Sequence, residues 1–121
     1  MYLLPQEIEV WYIIPSIRKA LAKELIKKYE LSYEKAGNAL GVSKAAIAQY
    51  LSGKRATKVK ISKNIRDEIK ISARKIAKQP KEAVREIEKI LQLMKKEKCS
   101  CQVCKKYNKA IMDYCNCQPI Y

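Results

Sequence analysis

Five cysteines fall between residues 99 and 117, in the run CSCQVCKKYNKAIMDYCNC, and the rest of the chain has none. Cys101 and Cys104 form a CxxC pair on one turn, and Cys115 and Cys117 return as a CxC pair after the ten residues KKYNKAIMDY. That interval is long enough for a short helix or hairpin to bring the second pair back to the first. In a chain of the reducing cytosol, such clustering points to thiolates gathered round a metal or cluster rather than to a disulfide framework. Four thiolates without histidine suit an iron–sulfur cluster, 2Fe-2S or 4Fe-4S, or a tetrahedral Zn²⁺. A zinc ribbon would carry CxxC twice, so the CxC places the iron–sulfur reading ahead of zinc, with a reversible thiol switch or an inert tail as the remaining readings. Cys99 is surplus to a four-ligand site. It can replace Cys101 as ligand, serve as a resolving thiol, or take no part.

The second chemistry-bearing segment is LSYEKAGNALGVSKAAIAQYLSGKR, residues 31–55. Its pattern predicts two short helices joined by a glycine turn, the arrangement by which small proteins present a helix to DNA. Ser32 can cap the first helix, Glu34 complements its dipole, and the helix runs to Leu40. Gly41 supplies the reversal, Val42 plugs the corner, and Ser43 caps a second helix from Lys44 to about Ser52. Ala36, Leu40, Val42, Ile47 and Leu51 fall where the two helices must touch, with Gly37 at the tightest crossing. The outward face is then Lys44, Ala45, Ala48, Gln49 and Ser52, beside the capping Ser43. An ordinary core hairpin shares part of this spacing, but the following GKRATKVKISK adds a basic flank suited to phosphates. Lys54, Arg55, Lys58 and Lys60 are its candidate contacts. Nine Lys or Arg stand against two acids, Asp67 and Glu68, between Lys54 and Lys75.

The elements that must position these residues are helical. Pro15 and Ser16 introduce a helix to about Tyr29, with Ile17, Leu21, Leu25 and Tyr29 on one face, while residues 1–14 read as a short helix or an extended arm. A further helix is expected from about Lys63 to Lys78, where Ile65, Ile69, Ala73 and Ile76 recur at helical spacing. Pro80 ends it and opens another, in which Val84, Ile87, Leu91 and Met94 follow heptad spacing to about Glu97, with Ile90 adjoining. That stripe serves core packing and a dimer seam equally well. The expected fold is all-α, with a helix-turn-helix domain over residues 1–60, a helical connecting or dimerisation region over 61–97, and a Cys-rich cofactor-binding segment over 98–121.

Composition agrees with a polyanionic partner. The 121 residues carry 26 Lys and Arg against 12 Asp and Glu, a formal charge of +14. Such an excess favours nucleic acid through counterion release, although an acidic membrane surface would attract it too. Pro5, Glu7 and Glu9 interrupt the apolar N-terminal patches and no basic region precedes them, so neither a signal peptide nor a membrane span is expected, and the location should be cytoplasmic. With no His in the chain, Ser-His-Asp triads, HExxH sites and His-ligated deaminases are excluded, and an enzyme is not expected. A zinc-stabilised DNA-binding protein without a sensing role is the alternative to a redox, iron or oxygen sensor. A cluster that shuttles electrons is a weaker third.

The segments PQEIEVWYIIPSIRKALAKEL and AGNALGVSKAAIAQYLSGKR, with the late CxxC followed about ten residues on by another Cys, resemble a family of small archaeal predicted transcriptional regulators. These have an N-terminal helix-turn-helix and a Cys-bearing C-terminus. The resemblance implies sequence-specific binding of double-stranded DNA through the second helix, as a homodimer, with the terminal cysteines holding a cluster or metal. A His often stands near that family's last ligand position. Cys117 occupies it here, which favours an all-thiolate site.

Overall fold

Three serine hydroxyls start three helices. Ser32 Oγ accepts from the Lys35 N–H at 3.1 Å, Ser43 Oγ from Ala46 at 3.1 Å and Ser62 Oγ from Ile65 at 3.3 Å. Each satisfies an N–H that the helix cannot pair internally. In a computed structural model, which describes residue 7 and residues 9–53 and 61–96, the chain is all-α. Five α-helices and no strand occur among the described residues. They are α1 (Ile14–Lys27), α2 (Tyr33–Leu40), α3 (Lys44–Ser52), α4 (Lys63–Lys78) and α5 (Ala83–Lys96).

The entry to α1 differs from expectation. A π-helical turn, Glu9–Ile13, runs straight into α1, so the helix needs no side-chain cap. Pro15 sits in the first turn, where its fixed φ suits the helix. Ser16 is buried, and its hydroxyl donates to the Ile13 carbonyl at 2.6 Å. At the other end α1 stops at Lys27, two residues short of Tyr29. Glu30 takes a left-handed φ of 55°, and the Leu31 N–H returns to the Leu25 carbonyl at 3.1 Å.

α1 is the hub of the core. Its Ile17, Leu21 and Leu25 are wholly buried and meet Ala36 and Leu40 of α2, Ile47 of α3, Ile65, Ile69, Ala73 and Ile76 of α4, and Ile90 and Met94 of α5. Tyr50, which belongs to neither face expected from the sequence, is 2% exposed, whereas Leu51 and Tyr29 are only partly buried.

The last helix corrects the expected stripe. Val84, placed on the heptad seam, is 71% exposed, and the buried positions are Ala83, Glu86, Ile90 and Met94. A 3₁₀ turn, Pro80–Glu82, sets the phase of α5, and the helix packs on α1 and α4 together. Its inward face is therefore broader than a two-helix seam and rotated from it, with Ile87, Leu91 and Leu93 along its flanks. Ile90 and Met94 thus belong to the chain's own core. Glu86 enters it because the Ser72 hydroxyl of α4 donates to its Oε1 at 2.8 Å.

Candidate functional site

The α2–α3 pair is held at one close point. A Cβ built on Gly37 would lie 2.7 Å from the Val42 carbonyl oxygen, nearer than carbon tolerates. With hydrogen alone at Gly37, the chain folds back on the helix it has just left. Gly41 makes the reversal at φ 73°, and both its N–H and that of Val42 bond to the Gly37 carbonyl. Ser43 then opens α3. Gly53 closes it at φ 79°, its N–H donating to the Gln49 and Tyr50 carbonyls.

The two sides of α3 differ sharply. Ala46, Ile47 and Tyr50 are buried, while Lys44, Ala45, Ala48, Gln49 and Ser52 are all exposed, as is Ser43. The outward positions expected from the sequence therefore share one surface. Two small alanines flank Gln49, so its amide stands clear of bulky neighbours. The Ser52 hydroxyl donates to the Gln49 carbonyl at 3.1 Å, which spends its proton locally and leaves its lone pairs outward. α3 contains no acid. Lys54, Arg55, Lys58 and Lys60 lie outside the described residues, as do Cys99, Cys101, Cys104, Cys115 and Cys117. Among the described residues no group of three or more His, Cys, Asp or Glu is placed to hold a metal ion. No described helix is long and apolar enough to cross a membrane.

Two cationic rows were not singled out from the sequence. On α1, Lys19, Lys23 and Lys27 follow one another at i, i+4 and i+8. Partial burial of Lys23, with the positive charges of Lys19 and Lys27, lowers its pKa from the ordinary lysine value. On α4, Lys63, Arg66, Lys70, Arg74 and Lys78 are all exposed and recur at three- and four-residue steps. None of the five makes an ion pair with a described residue. Like charges at such spacing work against the helix that carries them. α5 distributes its charges differently: Arg85 sits 3.7 Å from Glu82, and Lys89 reaches Glu68 of α4 at 3.8 Å. The i, i+4 recurrence of basic residues in the α4 sequence is the signal that finds this row.

Two open grooves flank the α4–α5 corner. One of about 560 Å³ is lined by Leu31, Lys35, Asn38, Ala39, Ala77, Pro80 and Lys81, so the Ala77 flank of α4 turns toward α2. The other, about 490 Å³, lies on the opposite flank between α4 and α5, with Lys75, Lys78, Glu82 and Lys89 among its walls.

Comparison of the chain with protein-family models, with curated proteins and with solved structures gives no match.

Proposed function

We propose that the chain is a sequence-specific DNA-binding transcriptional regulator, in which α2 and α3 act as a helix-turn-helix pair and the C-terminal cysteines hold an iron–sulfur cluster that reports redox state, iron or oxygen. The observation that carries the DNA reading is the single exposed face of Lys44, Ala45, Ala48, Gln49 and Ser52 on a short helix. That helix is fixed at its start by Ser43 and clamped to its neighbour through Gly37. A rigid, acid-free helix with a free primary amide at its centre suits entry into the major groove. Gln49 can then pair through two hydrogen bonds with an adenine edge. Lys54, Arg55, Lys58 and Lys60 would follow the phosphates on leaving the groove.

The experiment is selection of a preferred duplex from random sequences, followed by Gln49→Ala. The substitution should cost about 1–3 kcal/mol on the selected duplex and far less on random DNA. Equal losses on both, or no selectable sequence, would remove the assignment. For the cofactor, anaerobic purification should give a coloured protein with matched iron and sulfide. Serine at Cys104 or Cys115 should abolish the visible absorption, and serine at Cys99 should leave most of it. A colourless protein with stoichiometric zinc would support a zinc-stabilised DNA-binding protein without a sensing role.

A further inference from the structure

We infer that the basic row of α4, Lys63, Arg66, Lys70, Arg74 and Lys78, is a second contact element that follows the phosphate backbone of a duplex, distinct from the face of α3. The inference rests on the DNA reading of α3 and extends it to residues which that reading does not use. Ile65, Ile69, Ala73 and Ile76 commit the opposite face of α4 to the core. This fixes the row as a rigid rail rather than a set of loose side chains. At about 1.5 Å per residue the row extends roughly 22 Å, and a duplex strand presents a phosphate about every 3.4 Å of axis, so one rail spans several phosphates.

Solvation alone accounts poorly for this row. α5 answers the same need by pairing cations with acids, Arg85 with Glu82 and Lys89 with Glu68. On α4 Asp67 is the one exposed acid beside the five cations, since Glu68 is half-buried and engaged by Lys89. The Ala77 flank, which Arg66 and Lys70 share by helical spacing, is the side turned toward α2. The row therefore has Arg66 and Lys70 on the flank nearer α2 and ends at Lys78, which lines the groove between α4 and α5. An anionic membrane is the other polyanion to consider. An amphipathic helix binds a bilayer by inserting its apolar face, and that of α4 is buried in the protein, with Ile71 the one large apolar side chain it exposes.

The test uses the full chain and its Arg66→Gln/Lys70→Gln/Arg74→Gln variant, with the single variants Arg66→Gln and Arg85→Gln compared as charge-matched changes on and off the row. All three positions are exposed, glutamine is a good helix former and the like-charge repulsion is relieved, so the triple variant should unfold at the parent's temperature or above it. The probe is a random-sequence duplex titrated across a range of salt concentrations, with phosphatidylserine vesicles as a second arm. If the three side chains neutralise phosphates, the slope of log affinity against log salt should become shallower by about two to three, at about 0.9 per contact. Arg66→Gln should show about one contact's share of that change, and Arg85→Gln should keep the parental slope. A parental slope in the triple variant, or equal changes in Arg66→Gln and Arg85→Gln, overturns the rail while leaving the α3 reading intact. Failure of the parent to bind any duplex overturns both. Tighter binding to vesicles than to duplex, lost in the triple variant, assigns the row to a membrane and overturns the proposed partner.

Discussion

Gly37 carries a constraint out of proportion to its size. Its missing side chain is what allows the Val42 carbonyl to approach. Gly37→Ala must push back rigid backbone, because no flexible side-chain end is available to yield. The expected cost is about 1–3 kcal/mol in chemical denaturation, the range for overpacking in a tight interior. Loss of less than half a kcal/mol would mean that the pair is not clamped there. Glu30 presents the reverse case. A non-glycine residue at φ 55° carries a steric penalty that glycine lacks. Glu30→Gly should therefore leave stability unchanged or raise it by up to about 1 kcal/mol, part of the relief being offset by the freer unfolded chain. Gly37 was legible in the sequence because glycine inside a helical apolar pattern has few other uses. Tyr50 and Glu86 were not. A phenol or carboxylate at those spacings reads as surface, and the burial of Glu86 depends on Ser72, which is distant in sequence and adjacent only once α4 and α5 have docked.

Among the elements, the starts of α2, α3 and α4 rest on the same device and respond to the same change. Alanine at Ser32, Ser43 or Ser62 should each cost about 1 kcal/mol, because each leaves one helix N–H without its partner. The losses at Ser32 and Ser62 should add, since their helices share no capping contact. The α4–α5 contact behaves differently. Ser72→Ala removes the hydroxyl that donates to the buried Glu86 carboxylate and should cost about 1.5–3 kcal/mol, whereas Ser72→Ala with Glu86→Leu should recover most of that loss. A double variant no better than the single one would show that Glu86 is satisfied elsewhere.

Helix existence was easier to read than helix phase. The ranges of α2 and α3 agree with the sequence pattern because Ser32, Gly41, Ser43 and Gly53 mark their ends locally, and that of α4 because Pro80 follows its last turn. The phase of α5 is set by the turn at Pro80–Glu82 and by two neighbours at once. A heptad count contains neither piece of information, and it placed Val84 inward.

For the molecule as a whole, if α3 is the DNA-reading helix proposed above, one exposed face on a nine-residue helix would read few base pairs. A regulator of this kind needs a second copy to define an address. The proposal predicts a homodimer on an approximately palindromic site, its half-site centres about 34 Å apart or a multiple of that, so that both α3 helices meet one side of the duplex. Sedimentation and footprinting test this together. A monomer giving one short footprint would contradict it. The seam cannot use Ile90 or Met94, which the chain's own core has already taken.

α5 touches α2 as well as α1 and α4, and after Lys96 the chain continues into the cysteine-bearing residues. A cofactor state that biases α5 would therefore reach the helix pair through a direct contact. Such linkage is reciprocal by thermodynamic necessity. If the two redox states of the cluster differ in operator affinity, the operator must in turn shift the cluster's midpoint potential. A tenfold difference in affinity corresponds to about 59 mV for a one-electron couple. Under the proposed function, potentiometry with and without the selected duplex would read that shift, and DNA would then act on the cluster as well as respond to it.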